Sequence, residues 1–302
     1  LKALTAFPGW RGEVNRDALA LYLRHSYVPT PWSIYRGIYK LPPAHFVVVR
    51  ECGAQVAEPQ CYWSLAEVAE RGVAAAAAAG DPTALADELD TLLRDAVRRR
   101  MAADVPLGAF LSGGYDSTTV VALMQAQSDR PVKTFSIGFH EEEYNEARHA
   151  KAVAAHLSTD HTEFYVTPEE AMAVIPRLPD IYDEPFADSS QIPTFLVSQL
   201  ARRHVAVSLS GDGGDELFFG YGRYLKCERI WTQLSGLPLW WRHVASSVLA
   251  HAPGRALEGV MAVLPNRLRI NHLADRLPKL AEMLSQPTGE AFYRELVSHW
   301  KN

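Results

Sequence analysis

Two segments of the sequence each combine a short apolar run with a glycine-rich turn and the start of a helical pattern. The first is VPLGAFLSGGYDSTTVVALMQ at 105–125, and the second is VAVSLSGDGGDELFF at 205–219. Between them, VKTFSIGF, NEARHAKAVAAHL and HTEFYV predict a strand, a helix and a strand in turn. Strands that alternate with helices of this length are typical of βαβ units, so the sequence predicts an α/β fold with a parallel sheet.

The flanking regions predict mainly helices. From residue 83 onward, Leu and Val recur at helical spacing and basic residues follow in the last turns. PEEAMAVIPRLPDIY predicts a helix broken at proline, and SQIPTFLVSQLARRH predicts another. The tail from residue 228 is helical in tendency, and we expect its Trp231, Trp240 and Trp241 to be core or interface anchors.

Residues 1–63 predict a short helix with Asn15 as its N-cap, then a proline-punctuated stretch and a strand, HFVVVR. The apolar side of that helix is predicted to carry Ala18, Leu19, Leu21, Tyr22 and Leu23. The segment holds no sheet that could pair with the strand, so it either docks on the rest of the chain or belongs to a larger domain. Residues 64–82 contain AAAAAAG and are predicted to be a linker with some helical tendency.

Composition bounds the class of protein. The chain has 302 residues, of which 48% are hydrophobic and 22% charged, as in ordinary globular proteins, and its net charge of −5 gives no electrostatic reason to expect nucleic acid as a partner. No apolar run has the length of a membrane span or signal peptide, so we expect no membrane association. The three cysteines, Cys52, Cys61 and Cys227, are too few and too scattered for a disulfide framework or a zinc site, which favours a cytoplasmic location.

Both glycine-rich turns are predicted to lie where a strand ends and a helix begins. Ligands of open α/β sheets bind at the carboxyl ends of strands, and glycines let backbone N–H groups approach an anion. A helix N-terminus adds partial positive charge, and Ser112, Ser117 and Thr118 add hydroxyl donors. The pattern therefore indicates a phosphate site.

Asp116 conflicts with a bare phosphate site, because a carboxylate repels a polyphosphate. A divalent cation removes the conflict, since Mg²⁺ takes carboxylate and phosphate oxygens together. Asp215 in the second turn is the natural second carboxylate, so the two acids are predicted to hold Mg²⁺ on one pyrophosphate. The alternative for the first turn alone is a tight turn in which Asp or Ser caps the next helix. The sequence lacks GxxxxGK[ST] and GxGxxG, which argues against Walker and Rossmann dinucleotide sites.

These motifs resemble those of a known family. LSGGYDS resembles the pyrophosphate-binding loop SGGxDS of N-type ATP pyrophosphatases, and LSGDGGDELFFGYGRY resembles the second loop of asparagine synthetases. TFSIGF, YNEARHAKAVAAHL, DHTEFYV and YDEPFADSSQIPTF fall between them in the family's order, and VPTPWSIYRGIYKLPPAHFVVV is similar to the end of its class II glutaminase domain. The resemblance implies an α/β parallel-sheet synthetase domain of the adenine nucleotide alpha hydrolase (HUP) type, preceded by the C-terminal remnant of an Ntn-type α+β glutaminase domain.

The resemblance also implies roles for individual residues. The pyrophosphate loop would consist of Ser112, Gly113, Gly114, Asp116 and Ser117. The nucleotide would contact Leu111, Ile137, Ser210 and Gly211. Asp116 and Asp215 would hold Mg²⁺, and Asp212 stands where many members have the glutamate linked to acid activation and ammonia. Asp188, Ser189 and Ser190 would face the acid substrate, although an Asp-Ser-Ser run also suits a helix cap. Glu216 suits a helix N-terminal acid better than a catalyst.

The implied domains are 1–63 for the end of the glutaminase domain, 64–82 for the linker and 83–302 for the synthetase domain. The implied enzyme is a ligase. It would use ATP to adenylate the aspartate side chain with release of pyrophosphate, and would then amidate it with ammonia derived from glutamine. A homodimer is the oligomeric state that we expect. We expect the chain itself to lack glutaminase activity, because it starts at Leu1 without the family's N-terminal cysteine, and to be incomplete after Asn302. The open alternatives are an amidotransferase that acts on another carboxylic acid, and a nucleotide-binding module without turnover.

Overall fold

The structure, a computed structural model, describes residues 1–50, 57–76, 81–140, 145–251, 279 and 281–298. The chain divides into two compact units, Leu1–Gly213 and Gly214–Asn302. Cys52 lies outside the described residues, whereas Cys61 is exposed and Cys227 is buried, both as free thiols.

The first unit begins with short elements. They are α1 (Lys2–Thr5), α2 (Arg16–His25), β1 (His45–Phe46), β2 (Gln60–Cys61), α3 (Leu65–Ala76) and α4 (Pro82–Met101). The βαβ region follows with β3 (Leu107–Phe110), α5 (Tyr115–Gln125), β4 (Lys133–Phe139), α6 (Ala147–Leu157) and β5 (Asp160–Val166). After β5 come α7 (Pro168–Val174), a 3-10 turn (Ile175–Arg177), α8 (Leu178–Ile181), α9 (Gln191–Ala201) and β6 (Val207–Leu209).

Four strands form a parallel sheet in the order β5-β4-β3-β6. The predicted α/β fold with a parallel sheet is therefore confirmed. From β3 the chain moves outward through β4 to β5 and then returns to place β6 on the other side of β3. The strand order thus reverses between β3 and β6, which is the position where doubly wound sheets bind ligands.

Alternation along the strands gives the sheet two covered faces. Ala109 and Leu111 point into a core shared with α4, α5 and α6. Phe110 points the opposite way and packs, with Phe135 of β4, against α9. Side chains in a strand alternate between faces, so this run of apolar residues is buried on both sides. The sheet thus forms the middle layer of three, with helices packed on each of its faces.

The N-terminal segment forms a small core of its own around Ala18, Val28 and Ile34. Asn15 caps α2 as predicted, because its side chain accepts hydrogen bonds from two N–H groups of the first turn. The predicted apolar side of α2 is only partly correct: Ala18 is buried, whereas Leu19 and Leu23 are 38% and 51% exposed. The apolar run HFVVVR forms a strand only over its first two residues, which pair with β2.

The segment predicted as a linker is mostly helical, since α3 covers Leu65–Ala76. The broken helix predicted after β5 is confirmed: α7, the 3-10 turn and α8 succeed one another, with Pro176 and Pro179 at the breaks.

The second unit consists of helices in its described residues. They are α10 (Gly214–Leu217), α11 (Gly222–Ser235), α12 (Leu239–His251) and α13 (Gly289–Val297), together with helical residues at 281–284. Cys227, Met283 and Phe292 form its core, and Trp231 packs against them as predicted. Trp240 and Trp241 are instead 63% and 55% exposed and lie against each other, so they are not core residues, and their alternative role as interface anchors stays a prediction. Across the described part of the chain, no helix is both long and apolar enough to cross a membrane.

A polar network is buried between β4 and β5. The His161 ring places Nδ1 2.9 Å from Thr134 Oγ1 and Nε2 3.3 Å from Ser136 Oγ, and both hydroxyl residues are buried. Burial lowers the pKa of His161, an effect that Glu163 opposes and Lys151 reinforces. Neutral imidazole therefore suits this position, because one ring nitrogen donates and the other accepts.

The stability of the fold should depend on this histidine at acid pH. Since the pKa of His161 is lower in the folded protein than in the unfolded chain, the unfolded chain binds this proton first as pH falls. The stabilisation is complete above the ordinary histidine pKa of about 6.5 and is lost progressively below it. We expect the melting temperature of His161→Asn to fall less than that of the wild type between about pH 7.5 and pH 5.5. His243→Asn, at an exposed position of α12, is the control and should behave as the wild type.

Candidate functional site

The candidate site lies at the carboxyl edge of the sheet, where β3 and β6 are neighbours. Leu107 pairs with Val207 and Ala109 with Leu209 in parallel register. The strands therefore end at the same edge, and the turns that follow them, 111–114 and 210–213, emerge side by side. The structure thus brings together the two glycine-rich turns that the sequence places about a hundred residues apart.

The first turn is held in shape by its own serines. Ser112 N–H donates to Ser117 Oγ at 3.2 Å, and the two hydroxyl oxygens are 2.9 Å apart. Gly114 N–H donates to Ser112 Oγ at 3.2 Å, and the Ser117 hydroxyl donates to the Gly114 carbonyl at 3.3 Å. Ser117 is buried, so its role in the free protein is to close the turn.

Two glycines allow backbone to approach backbone around this turn. Gly113 has φ +83°, and a Cβ there would lie 2.7 Å from the backbone nitrogen of Ala150 in α6. At Gly211 in the second turn, a Cβ would lie 2.5 Å from the backbone nitrogen of Ser117 and 3.0 Å from Asp116 Cβ. Real Cβ atoms do not approach other atoms this closely, so the two turns can touch only because Gly211 has no side chain.

Helix α5 begins directly at the first turn. Its N-cap is Gly114, which provides no side-chain hydrogen bond, and Asp116 lies in the first turn of the helix. The first N–H groups of a helix have no partner within the helix and carry partial positive charge. This helix start therefore offers donors to an anion, while the half-buried Asp116 places one carboxylate beside them.

The second turn carries further acids. Ser210 donates from its hydroxyl to Asp212 Oδ2 at 3.1 Å, and Asp212 is exposed. Asp215 belongs to the second compact unit, so its predicted pairing with Asp116 stays a prediction. Glu216 accepts a hydrogen bond of 2.7 Å from the Tyr221 hydroxyl, which raises the pKa of Tyr221 to about 12.

Leu111 and Ile137, both predicted to contact the nucleotide, point to opposite faces of the sheet. The Leu111 side chain is fully buried in the core beneath α5 and α6, and its N–H donates to the Phe135 carbonyl at 2.9 Å. Ile137 is half-buried and packs with Val166 on the other face. Leu111 can therefore reach a ligand only through its remaining backbone groups.

Asp188, Ser189 and Ser190 lie immediately before α9. The Ser190 N–H donates to Asp188 Oδ1 at 2.7 Å. Hydrogen bonds from Ser190 lower the pKa of Asp188. The carboxylate thus closes a local turn before the helix, but it does not cap α9, whose N-cap Ser190 has no side-chain cap hydrogen bond. Contact with a substrate stays a prediction for all three residues.

Two polar atoms near the carboxyl edge have no hydrogen-bond partner within the described residues. They are Thr118 Oγ1, in α5, and Asn145 Oδ1, just before α6, and both are buried. Buried polar atoms without partners are uncommon and mark places where a ligand or water can bind. Thr118 is one of the donors that the sequence predicts, whereas Asn145 was not predicted. No sequence pattern indicates Asn145, since its approach to the sheet is seen only in the structure, where a Cβ on Gly138 would lie 2.9 Å from Asn145 Oδ1.

The metal-binding potential of the site rests on oxygen atoms. Among the described residues, no group of three or more His, Cys, Asp or Glu side chains could hold a metal ion. Mg²⁺ needs no such group when one or two carboxylates combine with substrate phosphates and water. Asp116 beside the start of α5 fits this type of site.

Comparisons with known proteins give two family matches. The profile of the family described as Asparagine synthase matches residues 88–302, and that described as Glutamine amidotransferase domain matches residues 1–63. The two matches follow one another along the chain without overlap.

Individual proteins are similar over most of this chain. A protein of Methanocaldococcus jannaschii, provisionally named glutamine-hydrolysing asparagine synthetase 2, is 37% identical over 286 residues, which cover 94% of this chain and 50% of that protein. Glutamine-hydrolysing asparagine synthetase 1 of Bacillus subtilis is 32% identical over 252 residues, covering 81% of this chain and 38% of that protein. The chain thus spans half the length, or less, of these curated relatives.

The close approach of the two turns predicts the effect of one substitution. Gly211→Ala would force its Cβ against the Ser117 backbone, 2.5 Å away, and push the turns apart. Overpacking of this kind costs about 1–3 kcal/mol. We expect affinity for Mg·ATP, measured by isothermal titration calorimetry, to fall by about tenfold or more.

Gly222→Ala is the matched control, because a Cβ at Gly222 meets no atom within 4 Å. It should retain the wild-type affinity. Equal affinities in the two variants would contradict a ligand site formed by the apposed turns.

Proposed function

The chain belongs to the asparagine synthase family, and from this we propose that it supplies the ATP-binding and acid-activating part of a glutamine-dependent ligase. The observation that carries the proposal is the apposition of two glycine-rich turns at the reversal point of the sheet, next to a helix start without a side-chain cap. Such a helix start stabilises phosphate through its N–H groups and dipole.

The proposed domain organisation follows the matches. Residues 1–63 are the C-terminal part of a glutaminase domain, 64–82 connect the domains, and 83–302 belong to the synthetase domain. The matched ranges of 1–63 and 88–302 support this division.

The proposed reaction has two steps. In the first, the side-chain carboxylate of aspartate attacks the α-phosphorus of ATP, so that a P–O bond forms to the acid and the bond to pyrophosphate breaks. In the second, ammonia derived from glutamine attacks the activated carbonyl carbon and AMP leaves. Asparagine, AMP and pyrophosphate are the products.

The residues of the two turns have distinct proposed roles. Ser112, Gly113, Gly114 and Ser117 bind the leaving pyrophosphate with the donors of the first turn and α5. Donors that are already fixed before the reaction stabilise developing negative charge without reorganisation. Ser210 and Gly211 contact the nucleotide, and Asp212 assists activation of the acid.

Two carboxylates are the proposed ligands of the Mg²⁺ ion. Asp116 and Asp215 would hold Mg²⁺, which, when bound, neutralises charge on the pyrophosphate. The position of Asp116 in the first turn of α5 supports its part in this assignment. Without a cation, this carboxylate would weaken anion binding at the same helix start.

The acid substrate is the decisive point to test. ATP–pyrophosphate exchange should be measured on the full-length natural protein with a panel of carboxylic acids that includes L-aspartate. Exchange that depends on aspartate is the expected result. Exchange with a different acid would instead assign the site to a related amidotransferase, and no exchange with any acid, together with no binding of Mg·ATP, would refute the ligase proposal.

The role of Asp116 predicts a selective defect. Asp116→Asn keeps the size of the side chain and removes its charge, so Mg²⁺-dependent exchange should fall by about 100-fold or more. Asp129→Asn, in the exposed turn after α5, is the control and should exchange at the wild-type rate. Undiminished exchange in Asp116→Asn would rule out a role for this carboxylate in metal binding.

A further inference from the structure

The N-terminal segment is attached to the loop that leads into α9. Ala187 N–H donates to the Ser26 carbonyl at 2.9 Å, and Tyr27 and Phe186 form an isolated antiparallel bridge. Both sides of this contact lie in the same compact unit. It joins the part that matches the glutamine amidotransferase profile to the part that matches the asparagine synthase profile.

Glu184 is the centre of this attachment. Its Oε1 accepts a hydrogen bond of 2.7 Å from the Ile34 N–H, and its Oε2 forms an ion pair with Lys40. Lys40 in turn donates to the Val28 carbonyl at 2.6 Å. The side chains of Glu184 and Lys40 are only 14% and 34% exposed. Glu184 is largely buried, so its charge needs these partners, and the contact favours the arrangement of the two segments in which they meet.

The loop that Glu184 fixes ends at predicted substrate-facing residues. It runs between α8 and α9, and Asp188 lies four positions after Glu184. Asp188 closes the turn before α9 through its bond with Ser190. The position of this turn therefore depends on how the preceding residues, 182–187, are held.

We propose that Glu184 is a positioning residue through which the N-terminal segment sets the acid-binding loop, 182–190, in place for catalysis. This inference rests on the proposed function. The nucleotide site is independent of the contact, because its turns follow β3 and β6 and are held by Ser112, Ser117 and Gly211. Loss of the contact should therefore raise the KM for the acid and leave the KM for ATP unchanged.

The test uses the full-length natural protein and ATP–pyrophosphate exchange with the acid that supports it in the wild type, L-aspartate under the proposed function. Glu184→Gln keeps an acceptor for the Ile34 N–H and removes the charge that pairs with Lys40. We expect the KM for the acid to rise by about tenfold, equal to about 1.4 kcal/mol, while the KM for ATP changes by less than about twofold. Lys40→Met should give the same split.

Two comparisons separate positioning from general destabilisation. Lys40→Arg keeps the charge and should restore a KM for the acid close to the wild type. Glu13→Gln breaks an exposed ion pair with Arg36 at 3.1 Å in the same segment and should change neither KM. The double variant Glu184→Gln/Lys40→Met should be no worse than Lys40→Met alone, because Lys40→Met already removes the ion pair with Glu184.

Two results would overturn the inference and leave the proposed function intact. One is wild-type exchange with an unchanged KM for the acid in both single variants. The other is an equal rise of both KM values with a lowered melting temperature, which is the mark of a purely structural contact. By contrast, absence of exchange in the wild type with every acid would overturn the proposed function itself.

Discussion

Parallel pairing of β3 with β6 is the interaction on which the candidate site depends. The two strands are far apart in sequence, and their register places both carboxyl ends at one edge. The pairing has a steric condition in the middle of the sheet: at Gly108 a Cβ would lie 2.8 Å from the Lys133 carbonyl oxygen and from the Phe135 ring. With glycine at 108, β3 fits between β4 and β6, and the turns that follow β3 and β6 meet at Gly211 without a side chain between them.

Local periodicity made most of the fold predictable. Strands buried on both faces, such as VKTFSIGF, and helices with regular apolar spacing can be recognised in the sequence. Burial requires apolar residues at the buried positions, and their spacing differs between strands and helices. The N-terminal region was harder. Its apolar run HFVVVR pairs over only two residues, and Leu19 and Leu23 of α2 stay exposed, since the small core of this segment buries only one side of the helix. Apolar character alone does not show which residues are buried against other side chains or paired in a sheet.

The site was predictable as chemistry and less so as geometry. Glycine, serine and aspartate in two turns at strand ends predict an anion site, and in the structure those two turns lie side by side. Sequence could not tell that Ser112 and Ser117 hydrogen-bond to each other and shape the turn, or that Leu111 and Ile137 face opposite sides of the sheet. Those properties depend on the register of neighbouring strands and on which residue begins each strand, because side chains alternate between faces from that residue on. Local sequence patterns locate the start of a strand only to within a few residues.

The contact between Glu184 and Lys40 illustrates why a long-range charge pair suits a functional loop. Burying two charges costs several kcal/mol per ion, and well-packed apolar residues of similar size often stabilise a fold equally well. Stability alone therefore does not account for an ion pair at this position. An apolar contact tolerates sliding, because dispersion and the hydrophobic effect are not directional. A carboxylate that receives one backbone N–H and one ammonium group satisfies both oxygens in a single register. The charge pair thus fixes position, which is the property that the loop before α9 requires if its carboxylate and hydroxyl groups are to meet a substrate.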